Sequence, residues 1–236
     1  SSGRSLGARN PWALVPIKEA RLAKSRLKTL LDGEQRQAIF FAMIVDVLAA
    51  LRASGSLRGF ATVTADAAAA EMTRRFGGRV LEPRDGGGHN AAVREASREL
   101  AVREGADAVP VVPMDIPLLM APDGDHILSI HRESRAALTL VPSADRRGTN
   151  AMLMSPPGCI APRFGDNSFI AHCNAARRAR ILHAVLSLPN VALDIDWPED
   201  IELLLRVPRR TETHAALARA GFHVPTAGES PAQAFA

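Results

Sequence analysis

The chain has 236 residues, of which 47% are hydrophobic and 23% charged, and a formal net charge of +4. That length admits one α/β domain with appendages or two small domains, and either can bury a core. No stretch reaches the ~20 consecutive apolar residues of a membrane span. The arginines that make the chain basic stand as isolated pairs, Arg74-Arg75, Arg146-Arg147, Arg177-Arg178 and Arg209-Arg210, rather than as a block. This favours local recognition of small anions over a nucleic-acid surface.

Residues 1–10 read as a flexible leader that lacks the apolar core of a signal peptide. Cys159 and Cys173 form no C-x-x-C pair and have no ligand pattern nearby, so neither a zinc site nor a disulfide framework is expected, and a reduced, cytoplasmic compartment is the simplest reading. Strand-like apolar runs follow at 12–17, 59–64, 108–113, 136–142, 151–154 and 191–195. Between them lie helical patterns at 34–52, 65–76, 89–104, 123–134, 168–187 and 198–206. The first of these places Phe40, Ile44, Val47, Leu48 and Leu51 on one face behind an acidic first turn at Glu34. Such alternation predicts a largely parallel sheet with helices on both faces and the strand C-termini on one edge. A further helical stretch covers 211–221, and the Pro/Ala/Gly/Ser-rich 225–236 is expected to be mobile.

Open α/β sheets place their chemistry at the C-terminal edge of the strands. Asp115 stands there, closing V-V-P-M-D-I-P-L-L, and the strand expected over 191–195 puts Asp194 and Asp196 of A-L-D-I-D-W-P-E-D on one face of the chain. At contact distance like charges repel by about 4 kcal/mol per pair at a moderate effective dielectric. A convergent trio therefore calls for a cation, and Mg²⁺ with a phosphate substrate fits an all-oxygen donor set. The bland alternatives are a turn role for Asp115 and capping by Asp196 of the helix opened by Pro198-Glu199-Asp200. Asp194, inside an apolar run, has no such role available, and a charge there is costly unless paired or metal-bound.

Three further segments complete the picture. In V-P-I-K-E-A-R-L-A-K-S-R-L (15–27), Lys18, Arg21, Lys24, Ser25 and Arg26 can wrap a triphosphate, although the segment lacks the glycines of a P-loop and could equally be a solvated basic helix start. In R-D-G-G-G-H-N (84–90), consecutive glycines ahead of a helix allow close backbone approach to a ligand; a plain flexible loop is the alternative. R-R-G-T-N-A (146–151) and F-G-D-N-S-F-I-A-H (164–172) offer the Thr149 and Ser168 hydroxyls and amides near Gly165 to a small phosphate or carboxylate, with a simple N-cap role for Ser168 as the alternative. His172 lies one turn beyond Ser168 and is given no chemical role. There is no G-x-S-x-G elbow and no H-E-x-x-H.

Taken together and in this order, VPIKEARLAKSRL, GGGHNAAV, PMDIPLL, GTNAML, FGDNSFIAH and ALDIDWPEDI resemble the 2-phospho-L-lactate guanylyltransferase family, whose relatives use phosphoenolpyruvate or 3-phospho-D-glycerate. The resemblance implies an α/β, GT-A-like (Rossmann-like) nucleotidyltransferase domain over 11–208, followed by a C-terminal helix and mobile tail over 209–236. It implies that Asp115, Asp194 and Asp196 hold two Mg²⁺ ions and, with Lys24, form the catalytic group. GTP would lie against Lys18, Lys24, Ser25, Arg26, Gly87, Gly88 and Asn90, and the acceptor against Thr149, Gly165 and Ser168. The implied reaction is guanylyl transfer from GTP to a small phosphorylated carboxylic acid with release of pyrophosphate, in deazaflavin coenzyme F-420 biosynthesis. No membrane or nucleic-acid partner is implied, and a homodimer is compatible with the sequence without being specified by it.

Where the family commonly reads G-L-N, this chain has Gly88-His89-Asn90. If that position lines the acceptor pocket, the imidazole can hydrogen-bond the extra hydroxyl of 3-phospho-D-glycerate. Two other readings stay open at this stage: a nucleotidyltransferase of the same fold with a different acceptor, which would be expected to carry a glycine-rich first loop, and a non-catalytic nucleotide- or RNA-binding protein.

Overall fold

The computed structural model describes residues 8–19, 24–84 and 86–223. Seven strands, β1 (Trp12–Pro16), β2 (Gly59–Val63), β3 (Arg79–Leu81), β4 (Val109–Val111), β5 (Leu138–Pro142), β6 (Thr149–Met154) and β7 (His183–Val185), form one sheet in the order β3-β2-β1-β4-β6-β5-β7. Six of the seven run parallel, and β6 runs against both of its neighbours. That reversal matters for function. It brings the first residues of β6 to the same edge as the last residues of β1, β4 and β5.

Strand residues alternate between two apolar layers, as the pleat requires. Ala13, Val15, Ala151 and Leu153 face one layer with α1 (Gly33–Ala53), α4 (Ala121–Ser134), α7 (Pro198–Leu205) and α8 (Glu212–Arg219). Leu14, Val109, Leu140 and Met152 face the other with α3 (Gly88–Arg103) and α5 (Ser168–Ala179). Helix α1 buries all five residues of its expected face and starts at Asp32, whose carboxylate accepts from the Gln35 amide while Gln35 returns the bond. Helix α2 (Ala67–Arg75) is capped in the same spirit by Asp66.

Several expectations need correction. Residues 8–10 of the expected leader are held: the Asp107 carboxylate accepts from the Arg9 and Asn10 amides, and Arg132 donates to the carbonyl of fully buried Ala8. Residues 1–7 lie outside the described residues, as do residues 225–236, for which mobility was expected. The C-terminal helix is part of the domain rather than an appendage, since Asp46 on α1 accepts from the Glu212 and Thr213 amides and Ala216, Leu217 and Phe222 join the first apolar layer.

The helix expected over 168–187 stops at Arg180, which adopts a left-handed conformation, and the chain then forms the edge strand β7. The strand expected over 191–195 is not one. Pro189 opens the short helix α6 (Pro189–Ala192), and 193–196 continues without sheet pairing, tied instead by the Ile195 amide to the Asp115 carbonyl at 2.9 Å.

Two buried histidines make the fold sensitive to acid. His131 on α4 is fully buried, with Nδ1 at 2.9 Å from Thr139 Oγ1 and Nε2 without a hydrogen-bond partner. Burial, aided by Arg132, pushes its pKa down to about 4, and burial does the same to His172, also to about 4. An unfolded imidazole takes its proton near 6.5, whereas these folded ones resist it until about 4. Their stability contribution is therefore complete above that unfolded value and is lost as pH falls through the folded one. Urea midpoints measured across this range should fall, and His131→Phe should flatten part of the fall. An unchanged pH slope in the variant would contradict this origin.

Candidate active site

The C-terminal edge of the sheet opens into a cleft of about 850 Å³. Lys18, Lys24 and Arg26 line it from the segment after β1, Asp115 from the segment after β4, and Asp194 and Asp196 from the extended link between α6 and α7. The same cleft is lined by Gly148 from the β5–β6 connection, Thr149 at the start of β6, Gly165 just before α5, Ser168 as its first residue, and His89 in the first turn of α3. Ser25, Gly87, Gly88 and Asn90 do not line this cleft.

Lys24 is the centre of the acidic wall. Its left-handed backbone (φ 55°, ψ 36°) starts the 3-10 turn Ser25–Leu27, and its ammonium donates to Asp115 Oδ2 at 2.7 Å and to Asp196 Oδ1 at 2.8 Å. The lysine side chain is only 4% exposed, against 21% and 39% for the two aspartates. Burial alone would lower its pKa, but the two carboxylates outweigh burial and raise it. Burial likewise works to raise the Asp196 carboxyl, and the Lys24 ammonium, helped by Arg26, reverses this and holds it below the usual carboxylate range. Arg26 lies 3.6 Å from Asp196 and stacks its guanidinium 4.5 Å from the centre of the exposed Trp197 ring.

Asp194 has a different environment. Burial, then the neighbouring Asp115 charge, pushes its pKa up to about 6, and its carboxylate accepts a hydrogen bond from the Asn150 side-chain amide at 3.0 Å. Asn150 also donates to the Val191 carbonyl, so the second residue of the reversed strand anchors the link that carries both acids. In that link Ile195 is fully buried while its two acidic neighbours face the cleft. The same-side geometry expected of a strand is thus reached by extended chain outside the sheet.

The bland alternatives also resolve. Helix α7 is capped by Asp200, whose carboxylate accepts from the Asp196 and Trp197 amides, leaving the Asp196 side chain to Lys24 and Arg26. Helix α5 is preceded by Asn167 in the left-handed region with no side-chain cap, and Ser168 is its first helical residue. Gly165, at φ +126°, takes a turn that an L side chain rarely adopts. Asn90 is engaged elsewhere: its amide oxygen accepts from the Phe164 backbone N–H at 2.7 Å and its amide nitrogen donates to the Phe164 carbonyl at 3.1 Å. It clamps the segment that leads into α5. Sequence reasoning gave no role to Arg147 or Trp197, which also line the cleft; both adjoin recognised segments, and only the folded chain shows which way they face.

A protein-family model described as "Guanylyl transferase CofC like" matches residues 12–235. The chain belongs to this guanylyltransferase family. It is a nucleotidyltransferase. It is 40% identical over 193 residues to the phosphoenolpyruvate guanylyltransferase of Rubrobacter xylanophilus, covering 82% of this chain and 92% of that protein. It is also 31% identical over 191 residues to the 3-phospho-D-glycerate guanylyltransferase of Colwellia psychrerythraea, covering 81% and 89%. Among solved structures, a chain from Desulfovibrio desulfuricans G20 described as a nucleotide-diphospho-sugar transferase superposes with a TM-score of 0.72 at 19% identity, covering 89% of this chain and 94% of that one. At that identity the likeness establishes a shared fold.

If Lys24 balances the acidic wall, its loss is felt as a coupled defect. Lys24→Met should destabilise the chain by about 1–3 kcal/mol in urea unfolding, discounted from the fully buried case because the aspartates are partly solvated. Adding Asp115→Asn should cost less than the two separate changes summed. Strict additivity would show that the ammonium and the carboxylates do not depend on one another.

Proposed function

We propose that this enzyme transfers a guanylyl group from GTP to the phosphate of a small phosphorylated three-carbon acid, 2-phospho-L-lactate, phosphoenolpyruvate or 3-phospho-D-glycerate, and releases pyrophosphate, as a step in deazaflavin coenzyme F-420 biosynthesis. The observation that carries this reading is one cleft lined by two chemically distinct groups of residues. Lys18, Lys24, Arg26, Asp115, Asp194 and Asp196 suit a triphosphate and a cation, while Thr149 at the start of β6, with Gly165 and Ser168 around the α5 N-terminus, suits a small anion. The names of the relatives from Rubrobacter and Colwellia support acids of this class.

In the reaction, an oxygen of the acceptor phosphate forms a bond to the α-phosphorus of GTP, and the bond from that phosphorus to the bridging oxygen breaks, so that pyrophosphate leaves with the electron pair. The nucleophile is already an anion and needs no general base. What the protein must do is align two mutually repelling anions. In this reading Lys18 and Arg26 would hold the triphosphate, and Lys24, bonded to Asp115 and Asp196, would keep those two carboxylates in position beside it.

A divalent cation fits the acidic wall by its donor chemistry. Asp115, Asp194 and Asp196 offer only carboxylate oxygens, and burial, then the Asp115 charge, pushes the Asp194 carboxyl up to about 6. Among the described residues, no group of three or more His, Cys, Asp or Glu side chains is gathered closely enough to hold a metal ion, so the convergent trio expected from the sequence is not formed. Mg²⁺ usually takes one or two carboxylates and completes its shell with water and substrate phosphates. Mg²⁺ held there would neutralise phosphate charge and act as a Lewis acid on the phosphoryl oxygens.

One assay matrix tests the reading: pyrophosphate release with GTP or ATP against each of the three acids. Activity should require GTP and at least one acid, vanish on chelation and return with Mg²⁺, and drop by on the order of 10²-fold or more in Asp115→Asn. Silence across the matrix would sink it. His89 sits in the cleft, edge-on to Phe164 at 5.5 Å. We propose that it meets the acid, so His89→Leu should lower kcat/KM for 3-phospho-D-glycerate relative to phosphoenolpyruvate. An unchanged ranking of the acids would remove His89 from the acceptor site.

A further inference from the structure

His172 is fully buried on α5, faces no open part of the cleft, and has no part in the chemistry described above. Both ring nitrogens are nevertheless engaged. The backbone N–H of Arg163 points at Nε2 at 2.9 Å, and Nδ1 lies 2.9 Å from Thr149 Oγ1. A backbone amide can only donate, so Nε2 must be bare. The one proton of the neutral ring then sits on Nδ1 and is donated to the Thr149 oxygen.

This settles the direction of the Thr149 hydroxyl. Its oxygen already accepts from His172, so its own hydrogen is left to point away from the ring, and Thr149 lines the cleft beside Gly148, Gly165 and Ser168. We infer that His172 is a positioning residue that holds Thr149 as a one-way hydrogen-bond donor to an anionic oxygen, phosphate or carboxylate, of the acceptor acid. The same imidazole carries a second task. By accepting from Arg163 it fixes the start of the Arg163–Phe164–Gly165 segment, which Asn90 clamps one residue later and whose Phe164 ring packs edge-on to His172 at 5.2 Å. One buried side chain thus sets both the polarity of the hydroxyl and the position of the turn that starts α5. The ring keeps this single tautomer through the neutral range because burial holds its pKa down to about 4.

The inference rests on the acceptor site proposed above, and two measurements keep the two apart. The first is ¹⁵N NMR of histidine-labelled wild-type chain without substrate. His172 should show a protonated Nδ1 and a bare Nε2 at neutral pH, and the opposite tautomer would overturn the inference whether or not any acid proves to be a substrate.

The second measurement is steady-state kinetics with GTP and the preferred acid. His172→Gln keeps an acceptor for the Arg163 amide but offers no donor at the Nδ1 position, so the KM for the acid should rise on the order of tenfold, the change expected for one lost hydrogen bond to an ion. The KM for GTP should stay within about twofold, which on that scale is a fraction of one hydrogen bond. His172→Asn, which places an amide near Nδ1, should recover part of the loss. Thr149→Val should raise the acid KM similarly, and Thr149→Val combined with His172→Gln should be no worse than Thr149→Val alone. Equal rises in both KM values, or additive effects of the two substitutions, would reduce His172 to ordinary packing. If wild-type enzyme releases no pyrophosphate with any acid, the functional reading fails, while the NMR result still decides the tautomer.

Discussion

The ammonium of Lys24 holds the acidic wall of this cleft together. Three segments far apart in sequence, the turn after β1, the loop after β4 and the link between α6 and α7, meet at its bonds to Asp115 and Asp196. Without a positive charge there, two carboxylates would face each other in a half-buried site and repel. The bond from the Ile195 amide to the Asp115 carbonyl joins the same two acidic segments through their backbones. Electrostatics and backbone pairing thus fasten the same junction.

The sheet supplies the frame for this junction. Parallel strands deliver their C-terminal loops to one edge, which accounts for Lys24 and Asp115. Reversal of β6 then adds Thr149 and Asn150, which a fully parallel sheet would have sent to the opposite edge. Asn150 reaches back to Asp194 and Val191, and Thr149 reaches toward α5 through His172. Consecutive residues of a single strand are therefore tied to the acidic link and to α5.

Much of this was legible in the sequence, for reasons that can be named. The amphipathic face of α1, its acidic first turn at Glu34 and the apolar runs of β1, β2, β4 and β5 are local patterns. Local patterns survive folding when the core is built from them. The short edge strands β3 and β7 were missed because each has three residues and only a partly buried face, too little to impose a period. Asp194 and Asp196 were assigned the right relation on the wrong element, since extended chain alternates its side chains whether or not it is paired. Repulsion among the carboxylates led to the expectation of a cation, but sequence could not show that a lysine from a distant loop lies between two of them. Nor could it reveal Asn90 as a clamp or the tautomer of His172, because both depend on backbone groups of residues 163 and 164.

Lys24 fastens the Asp115 and Asp194–Asp196 segments to each other before any substrate arrives. Amide hydrogen exchange at Ile195 reports on that junction directly, because its N–H is bonded to the Asp115 carbonyl. In Lys24→Met, without nucleotide or metal, exchange at Ile195 should accelerate selectively while amides in the core of α1 keep their wild-type order of protection. Unchanged protection at Ile195 would show that the acidic wall stands without the lysine and would contradict the account.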